Sequence, residues 1–320
     1  MTDLHRAAAY GGPGWSPRTL ALRDEIGGLW ASCGVTTEWT PLRAVLLHRP
    51  GPELAAGDPD AAQQLETIDA DLAAAQHDAL AAAYRDADVA VHYVEPPWHP
   101  GAGEASPNLI FVADLLFMTP TGVIVGRPAS TVRAGEERWV ARRLADLGIP
   151  ILRTVAGRGA FEGADAAWLD EGTVLLATGL RTNREGAAQV AATLAEQGID
   201  VVPAGLPYGA MHLMGTLRFP APDLAVAWPG RVPYAAVEAL RARGYRVLMM
   251  PEEEKTQRRV ALNFVTLAPG QILMPGGHPA TRRFYEAAGI TCHEVEIGEL
   301  AKAAGGIGCL TGVLWRDPVR

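Results

Sequence analysis

Apolar and polar positions follow a unit that recurs along most of the chain. In its clearest copy, two short apolar runs, 115–118 and 123–125, flank a Pro-Thr-Gly turn at 120–122. Apolar residues then recur at helical spacing over 140–147, and 149–155 returns to an extended apolar pattern. Because these two kinds of spacing are typical of strands and helices, each copy predicts two strands, a helix and a third strand.

Further copies begin near residues 166 and 264, a copy with only one strand before its helix begins near 224, and a divergent copy lies upstream over 42–94. Five units of roughly 45 to 55 residues thus follow one another. Such a period is typical of a solenoid, but five strand pairs that each carry a covering helix fit a closed ring equally well. We predict a single α/β domain over 38–320 and an extension outside the repeats over 1–37.

Composition and charge narrow the function classes. The chain of 320 residues is 48% hydrophobic and 20% charged, which is typical of a globular protein. The length alone would fit two domains, but the repeats indicate one. The net charge of -8 argues against a nucleic-acid partner, since phosphate binding needs a basic stripe. The N-terminus lacks an apolar leader and no stretch is long enough for a membrane helix, so we expect a cytoplasmic protein without a membrane partner.

The sequence contains no common cofactor motif, and its three cysteines are not expected to form disulfides. The sequence has neither a Walker A loop nor an HExxH pair, so it predicts no nucleotide or metal site. Cys33, Cys292 and Cys309 are odd in number and far apart, which argues against a disulfide framework. Cys309 follows the glycine-rich segment 305–308, which can bring backbone amides close to a thiolate. A buried cysteine at the start of a strand fits that spacing as well, and the two interpretations stay open.

Five separated stretches carry a family resemblance. Together, and in this order, they resemble the guanidino-group modifying superfamily, which includes arginine deiminase, dimethylarginine dimethylaminohydrolase and the amidinotransferases. The resemblance covers about residues 38 to 316 and implies a five-bladed α/β propeller, or pentein, of ββαβ units with the active site in its central channel. The stretches are Pro107 to Asp114, Arg127 to Glu136, Phe161 to Asp165, Met211 to Met214 and Gly305 to Cys309.

The resemblance also assigns chemistry to single residues. Cys309 is similar to the nucleophile that attacks the central guanidinium carbon. His212 matches the general acid and base that protonates the departing amine and later activates water. Glu162 matches the carboxylate that holds the guanidinium and supports the histidine, and Asp114 matches a second carboxylate on the guanidinium nitrogens. A thiolate suits this reaction because a delocalised guanidinium is a poor electrophile, and the bound cation itself favours the thiolate.

Four further positions concern the substrate. Arg133 and Arg181 match arginines that grip the amino-acid carboxylate in relatives. Asn108 lies where arginine deiminases also have Asn and many dimethylargininases have Asp. Met214 departs from the pattern, because arginine deiminases and amidinotransferases have aspartate there and dimethylargininases more often have lysine. A thioether cannot clamp an unsubstituted guanidine, so Met214 favours an alkylated guanidine such as methylated arginine.

The resemblance implies a cysteine-dependent hydrolase that acts on a small guanidino substrate and releases an amine and a citrulline-type product. It implies neither a metal nor an organic cofactor. Arginine deiminase or dihydrolase activity and amidinotransferase activity are the alternatives, the latter distinguished by its need for an acceptor amine. The same propeller also occurs as a non-catalytic binding module, for instance in a ribosome anti-association factor. Slow modification of Cys309 by a thiol reagent at neutral pH would favour that module, and a homodimer stays open.

Overall fold

Five three-stranded sheets form the framework of the computed structural model, which describes residues 4–95, 106–251 and 260–319. In every sheet the first two strands are antiparallel and the last two are parallel. The strands are β1 Leu42–Leu47, β2 Ala90–Tyr93, β3 Leu116–Thr119, β4 Gly122–Val125, β5 Ile151–Thr154, β6 Ala166–Asp170, β7 Thr173–Thr178, β8 Asp200–Gly205, β9 Leu217–Ala221, β10 Leu224–Ala227, β11 Arg246–Met249, β12 Val265–Ala268, β13 Gln271–Pro275, β14 Thr291–Val295 and β15 Gly312–Arg316.

Each sheet is one blade of a five-bladed α/β propeller, as predicted. Blade 1 has the strand order β15-β1-β2, and blades 2 to 5 are β3-β4-β5, β6-β7-β8, β9-β10-β11 and β12-β13-β14. Blade 1 joins the two ends of the chain, since Leu42 of β1 pairs with Arg316 of β15. The C-terminal strand therefore supplies the first strand that the divergent upstream copy lacks, and this pairing closes the ring.

Helices connect the parallel strands, because such strands cannot be joined by a tight turn. In blade 2 the connecting helix begins after Glu136 and buries Val140 and Leu144 against the sheet, as the apolar spacing predicts. The α-helices of the described residues are α1 Leu22–Glu25, α2 Pro59–Ala62, α3 Ala70–Asp86, α4 Glu137–Asp146, α5 Arg184–Ala195, α6 Tyr234–Ala242, α7 Pro279–Ala287, α8 Gly298–Ala301 and α9 Ile307–Leu310. Short 3-10 helices cover Leu4–Arg6, Ala8–Tyr10, Pro52–Ala55, Val112–Leu115, Thr131–Arg133, Gly163–Asp165 and Leu213–Gly215.

The end of the 1–37 segment packs into the propeller. Cys33 and Val35 are buried in the apolar cluster that blades 1 to 3 share. The Gly34 amide donates to the Leu314 carbonyl, and Val35 donates to Thr119. These contacts attach the segment to β15 and β3, while the domain boundary at 37 stays a prediction. No helix in the described ranges has both the length and the apolar character needed to cross a membrane.

Candidate active site

One polar side chain from each blade stands shortly before that blade's first strand. Asp114 precedes β3, Glu162 precedes β6, His212 precedes β9, Asn263 precedes β12 and Cys309 precedes β15. The first strands β3, β6, β9 and β15 line a cavity in the central channel, so the segments that lead into them meet at one end of it. The repeat thus brings together side chains that lie far apart in the sequence.

A small pocket forms where these segments meet. It leaves about 20 Å³ of free space, which is room for about one water molecule. Six of the predicted site residues line it, and Met214 and Glu162 lie outside its lining. The lining residues are Gln63, Asn108, Phe111, Asp114, Arg133, Arg181, Met211, His212, Ala303, Ala304, Gly305 and Cys309.

Glu162 and His212 form a buried pair. The distance between His212 Nε2 and Glu162 Oε2 is 2.6 Å, and both side chains are almost fully buried. A carboxylate can only accept, so the proton of this bond belongs to Nε2. Burial opposes the charge on His212, but the neighbouring carboxylates, Asp114 first, outweigh it and raise the pKa of His212. Burial also opposes the charge on Glu162, yet the hydrogen bond and charge of His212 lower the pKa of Glu162. The pair therefore favours an imidazolium beside a carboxylate.

Asp114 and Arg133 form a second buried pair beside the first. Arg133 Nη1 donates to Asp114 Oδ2 at 2.5 Å, and Arg133 Nε donates to Glu136 Oε2 at 2.8 Å. Its Nη2 donates to the backbone carbonyls of Asn108 and Phe111. Asp114 Oδ1 has no hydrogen-bond partner and lies 3.8 Å from His212 Nε2. One buried acceptor thus remains open on the wall of the pocket.

Arg181 and Asn108 lie at the edge of the same pocket. The side chain of Arg181 is 12% exposed, and its Nη1 is 3.6 Å from Glu162 Oε1. Asn108 is buried, and its side-chain amide donates to the Ala62 carbonyl at 2.7 Å. Arg181 therefore retains more freedom to meet a ligand than Arg133, whose donors already face carboxylates and carbonyls.

Cys309 lies in α9, where the sequence predicts irregular backbone. Its side chain is buried, and its Sγ accepts a hydrogen bond from Asn263 Nδ2 at 3.0 Å. Burial, followed by the charge of Asp114, raises the pKa of the Cys309 thiol to about 11. Most of the ligand-free protein therefore carries a thiol at neutral pH. Slow alkylation there is expected of an enzyme as well, so that measurement does not identify a binding module.

Met214 lies behind the pocket rather than on its wall. It borders a second cavity of about 70 Å³ in the channel, together with Arg218 and Arg316. Its Sδ would lie 3.1 Å from a Cβ atom placed on Gly308, so the thioether packs against the backbone next to Cys309. Met214 could therefore make the apolar contact inferred from the sequence only with the part of a substrate that lies next to Cys309.

The spacing of three side chains is compatible with a metal ion. Asp114, Glu162 and His212 each offer one ligand atom, and these atoms lie within 4.8 Å of one another. However, two ligands of a tetrahedral zinc ion lie about 3.3 Å apart, which is farther than the 2.6 Å between His212 Nε2 and Glu162 Oε2. The short contact is that of a hydrogen bond, so the arrangement fits proton transfer better than metal binding.

Sequence reasoning missed three polar residues of the site, of which Gln63 lines the pocket. Asn263 contacts the sulfur of Cys309, and Glu136 contacts Arg133. An asparagine before an apolar strand is typical of a turn. The repeat itself held the missing signal for Asn263, because the other four units each place a polar candidate at the equivalent position.

Comparisons with known proteins agree with this fold. The family model of arginine deiminase matches residues 231–316. The N(G),N(G)-dimethylarginine dimethylaminohydrolase of Streptomyces coelicolor is 27% identical, with 85% of this chain and 96% of that protein covered. The enzyme of the same name from Pseudomonas aeruginosa is 26% identical, with 80% and 90% covered. A structure of the Pseudomonas aeruginosa enzyme, a Cys-to-Ser mutant complexed with citrulline, superimposes with a TM-score of 0.70 at 23% identity, covering 87% of this chain and all of the other.

In fold and along most of its length, the chain is similar to enzymes of the guanidino-group modifying superfamily. Within this superfamily, the two relatives named above are both dimethylarginine dimethylaminohydrolases. The similarity to them spans most of both chains.

Proposed function

We propose that this protein is a cysteine-dependent hydrolase of a guanidino group, similar to dimethylarginine dimethylaminohydrolase, with a methylated arginine as the preferred substrate. The observation that carries the proposal is the convergence of Cys309, the His212–Glu162 pair and Asp114 at one end of the channel. The two named relatives support the reaction class. The retention of all four side chains argues against a purely binding module.

Substrate recognition would use the open acceptor on Asp114. A guanidinium carries its charge on planar N–H groups, and Oδ1 of Asp114 is a buried acceptor without a partner. Arg181 is the partly exposed cation at the pocket edge and would bind the carboxylate of an amino-acid substrate. Because the free space is only about 20 Å³, the segments carrying Gln63 and Ala304 would have to move to admit the ligand.

The covalent step would begin at Cys309. The bound cation favours the thiolate and offsets the raised pKa of the thiol, so Cys309 releases its proton to solvent as the substrate binds. The sulfur forms a bond to the central guanidinium carbon, and the imidazolium of His212 gives its proton to the departing amine as the carbon–nitrogen bond breaks. The result is a free amine and a thiouronium group attached to Cys309.

Hydrolysis would reverse the role of His212. The neutral imidazole takes a proton from a water molecule, whose oxygen attacks the thiouronium carbon. The carbon–sulfur bond then breaks, and a ureido product leaves while the thiolate is restored. Glu162 holds the ring and stabilises the imidazolium in both halves, since its carboxylate is bonded to Nε2.

The purified protein should release a ureido product and dimethylamine from asymmetric dimethylarginine. Parallel incubations with arginine and other guanidines should give less product, if the Met214 contact disfavours an unsubstituted guanidine. Colorimetric ureido detection and chromatographic amine analysis measure both products. Citrulline and ammonia from arginine alone would indicate a deiminase, and ornithine formed only with an added acceptor amine would indicate an amidinotransferase. Absence of turnover with every guanidine would overturn the hydrolase proposal.

Glu162→Gln should move the alkaline limb of the kcat profile to lower pH. The proton donor to the leaving amine is the imidazolium, which the Glu162 carboxylate helps to keep charged by raising the pKa of His212. Without that charge the imidazole loses its proton at lower pH, and activity falls earlier as pH rises. The exposed Glu185→Gln substitution on α5 is the matched control. An unchanged alkaline limb in Glu162→Gln would contradict the role of the pair.

The cellular setting is a further part of the proposal. Cys33, Cys292 and Cys309 are free thiols, which suits the reducing cytoplasm. The cytoplasmic location and a homodimer both stay predictions.

A further inference from the structure

Asn263 occupies the place in blade 5 that the other blades fill with candidate site residues. It lies two residues before β12, as Asp114 lies two residues before β3. The side chain is buried at 4% exposure, and a buried amide needs a partner for each polar atom. Its position in the repeat therefore directs Asn263 toward the same end of the channel.

Both polar atoms of the Asn263 amide contact Cys309. The backbone N–H of Cys309 donates to Asn263 Oδ1 at 3.2 Å, and Asn263 Nδ2 donates to Cys309 Sγ at 3.0 Å. The backbone N–H is a fixed donor, so the atom that accepts from it must be the amide oxygen. The orientation of the amide is thereby determined, and its NH₂ group faces the sulfur.

The glycines before Cys309 make this contact possible. A Cβ atom on Gly308 would lie 2.5 Å from Asn263 Oδ1, and one on Gly306 would lie 2.7 Å from Asn263 Cβ. Both distances are shorter than side chains tolerate, so any larger residue would push Asn263 away. The glycine-rich segment therefore has a specific use, which is to let the amide approach the thiol.

Some groups around Cys309 oppose a negative charge on its sulfur and others favour it, so an additional hydrogen-bond donor would stabilise the thiolate. Asp114 faces it from the segment before β3 and opposes a second negative charge, as does burial. Arg218 on β9 favours the thiolate from the second cavity, together with a backbone hydrogen bond at Gly306. His212, Arg133 and Arg181 line the same pocket as Cys309 and carry further positive charge there.

We propose that Asn263 is a further catalytic residue, which donates a hydrogen bond to Cys309 Sγ and so stabilises the attacking thiolate and fixes its direction. The inference rests on the proposed function, because Asn263 can affect turnover only if Cys309 is the nucleophile of the hydrolase reaction. The contact with the sulfur itself exists without substrate. Hydrogen bonds to charged groups are worth about ten- to a hundredfold in an equilibrium constant.

The test measures the ionisation of Cys309 without any turnover. The rate of alkylation by iodoacetamide is followed from pH 6 to 11 by mass spectrometry of the peptide that contains Cys309. Asn263→Asp keeps the size and the acceptor for the Cys309 N–H but replaces the donor by a negative charge, and Asn263→Ala removes the amide. Asn183→Asp is the isosteric control, because Asn183 caps α5 through its oxygen and an aspartate keeps that cap.

Alkylation of Cys309 should be at least about tenfold slower in Asn263→Asp than in the wild type at neutral pH, and the rate deficit should persist up to pH 11. Asn263→Ala should show a smaller deficit, and Asn183→Asp none. A thiol that titrates alike in the wild type and in both folded Asn263 variants overturns the proposal; if the Asp variant does not fold by circular dichroism, the Ala variant decides. No substrate takes part in the alkylation test. Absence of guanidine hydrolysis would therefore overturn the proposed function, while the alkylation rates would still decide whether Asn263 stabilises the thiolate.

Discussion

Replacing Cys309 by serine should reduce guanidine hydrolysis by at least about a thousandfold and leave the fold intact. A serine hydroxyl is far less ionised than a thiol, and the Asn263 amide group beside the sulfur can donate a hydrogen bond but cannot remove a proton. Catalytic residues act together, so loss of the nucleophile also removes most of the rate enhancement that the other residues contribute. Steady-state assays of ureido product measure the effect, and thermal unfolding verifies the fold.

Cys292→Ser is the matched control for this substitution. Cys292 lies on β14, outside the channel, and burial also raises the pKa of its thiol to about 11. Burial raises the pKa of both thiols, so the position of Cys309 in the pocket is what distinguishes the two cysteines. Full activity in Cys292→Ser with none in Cys309→Ser is the expected result, and equal losses in both variants would refute the assignment of the nucleophile. Binding of substrate by Cys309→Ser, measured as a thermal shift, should persist.

The periodicity of the sequence predicted most of the blades but not the closure of the ring. The pairing of Leu42 with Arg316 joins the two ends of the chain, and no local pattern contains that information. Strand β9 was also missed, because Arg218 and Pro220 interrupt its apolar alternation. Both features depend on tertiary contacts: Arg218 reaches the Phe264 carbonyl, and β9 lies at the edge of its sheet, where proline is tolerated.

The sequence could indicate which residues belong to the candidate site, but not which hydrogen bonds and ion pairs they form. Cys309, His212, Glu162 and Asp114 follow from the resemblance, and the structure brings them to one end of the channel. The partners of long side chains do not follow from sequence spacing. The guanidinium of Arg133 was expected to meet a substrate carboxylate, while the structure surrounds it with carboxylates of the protein.

This network gives Arg133 a structural role beside any role in binding. Its side chain is 4% exposed and contacts Asp114 at 2.5 Å and Glu136 at 2.8 Å, with Glu162 at 3.7 Å. Burial opposes its charge, but these three carboxylates outweigh burial and raise the pKa of Arg133. A single guanidinium therefore offsets several buried negative charges that hold the His212 end of the pocket.

Arg133→Met should lower the free energy of unfolding by about 3–5 kcal/mol, because it leaves buried carboxylates without a counterion. Methionine keeps most of the apolar volume, so the loss reports the missing charge and donors. Urea unfolding followed by circular dichroism measures the difference. Arg142→Met is the control, since Arg142 is exposed on α4 and lies 3.9 Å from Asp146 in a surface pair worth at most about 1 kcal/mol.

The deficit of Arg133→Met should also depend on pH. Burial already raises the pKa of Glu136 in the wild type against the opposing charge of Arg133, and without that charge the rise should be larger. A carboxyl group whose pKa is raised on folding takes up a proton in the folded state, so the variant is most stable in acid. Its stability then falls as pH increases from about 4, through the unfolded pKa toward the folded one. A deficit that is small at pH 4 and full at pH 7 is expected, whereas a deficit that is constant with pH would show that lost packing, and not unpaired charge, destabilises the variant.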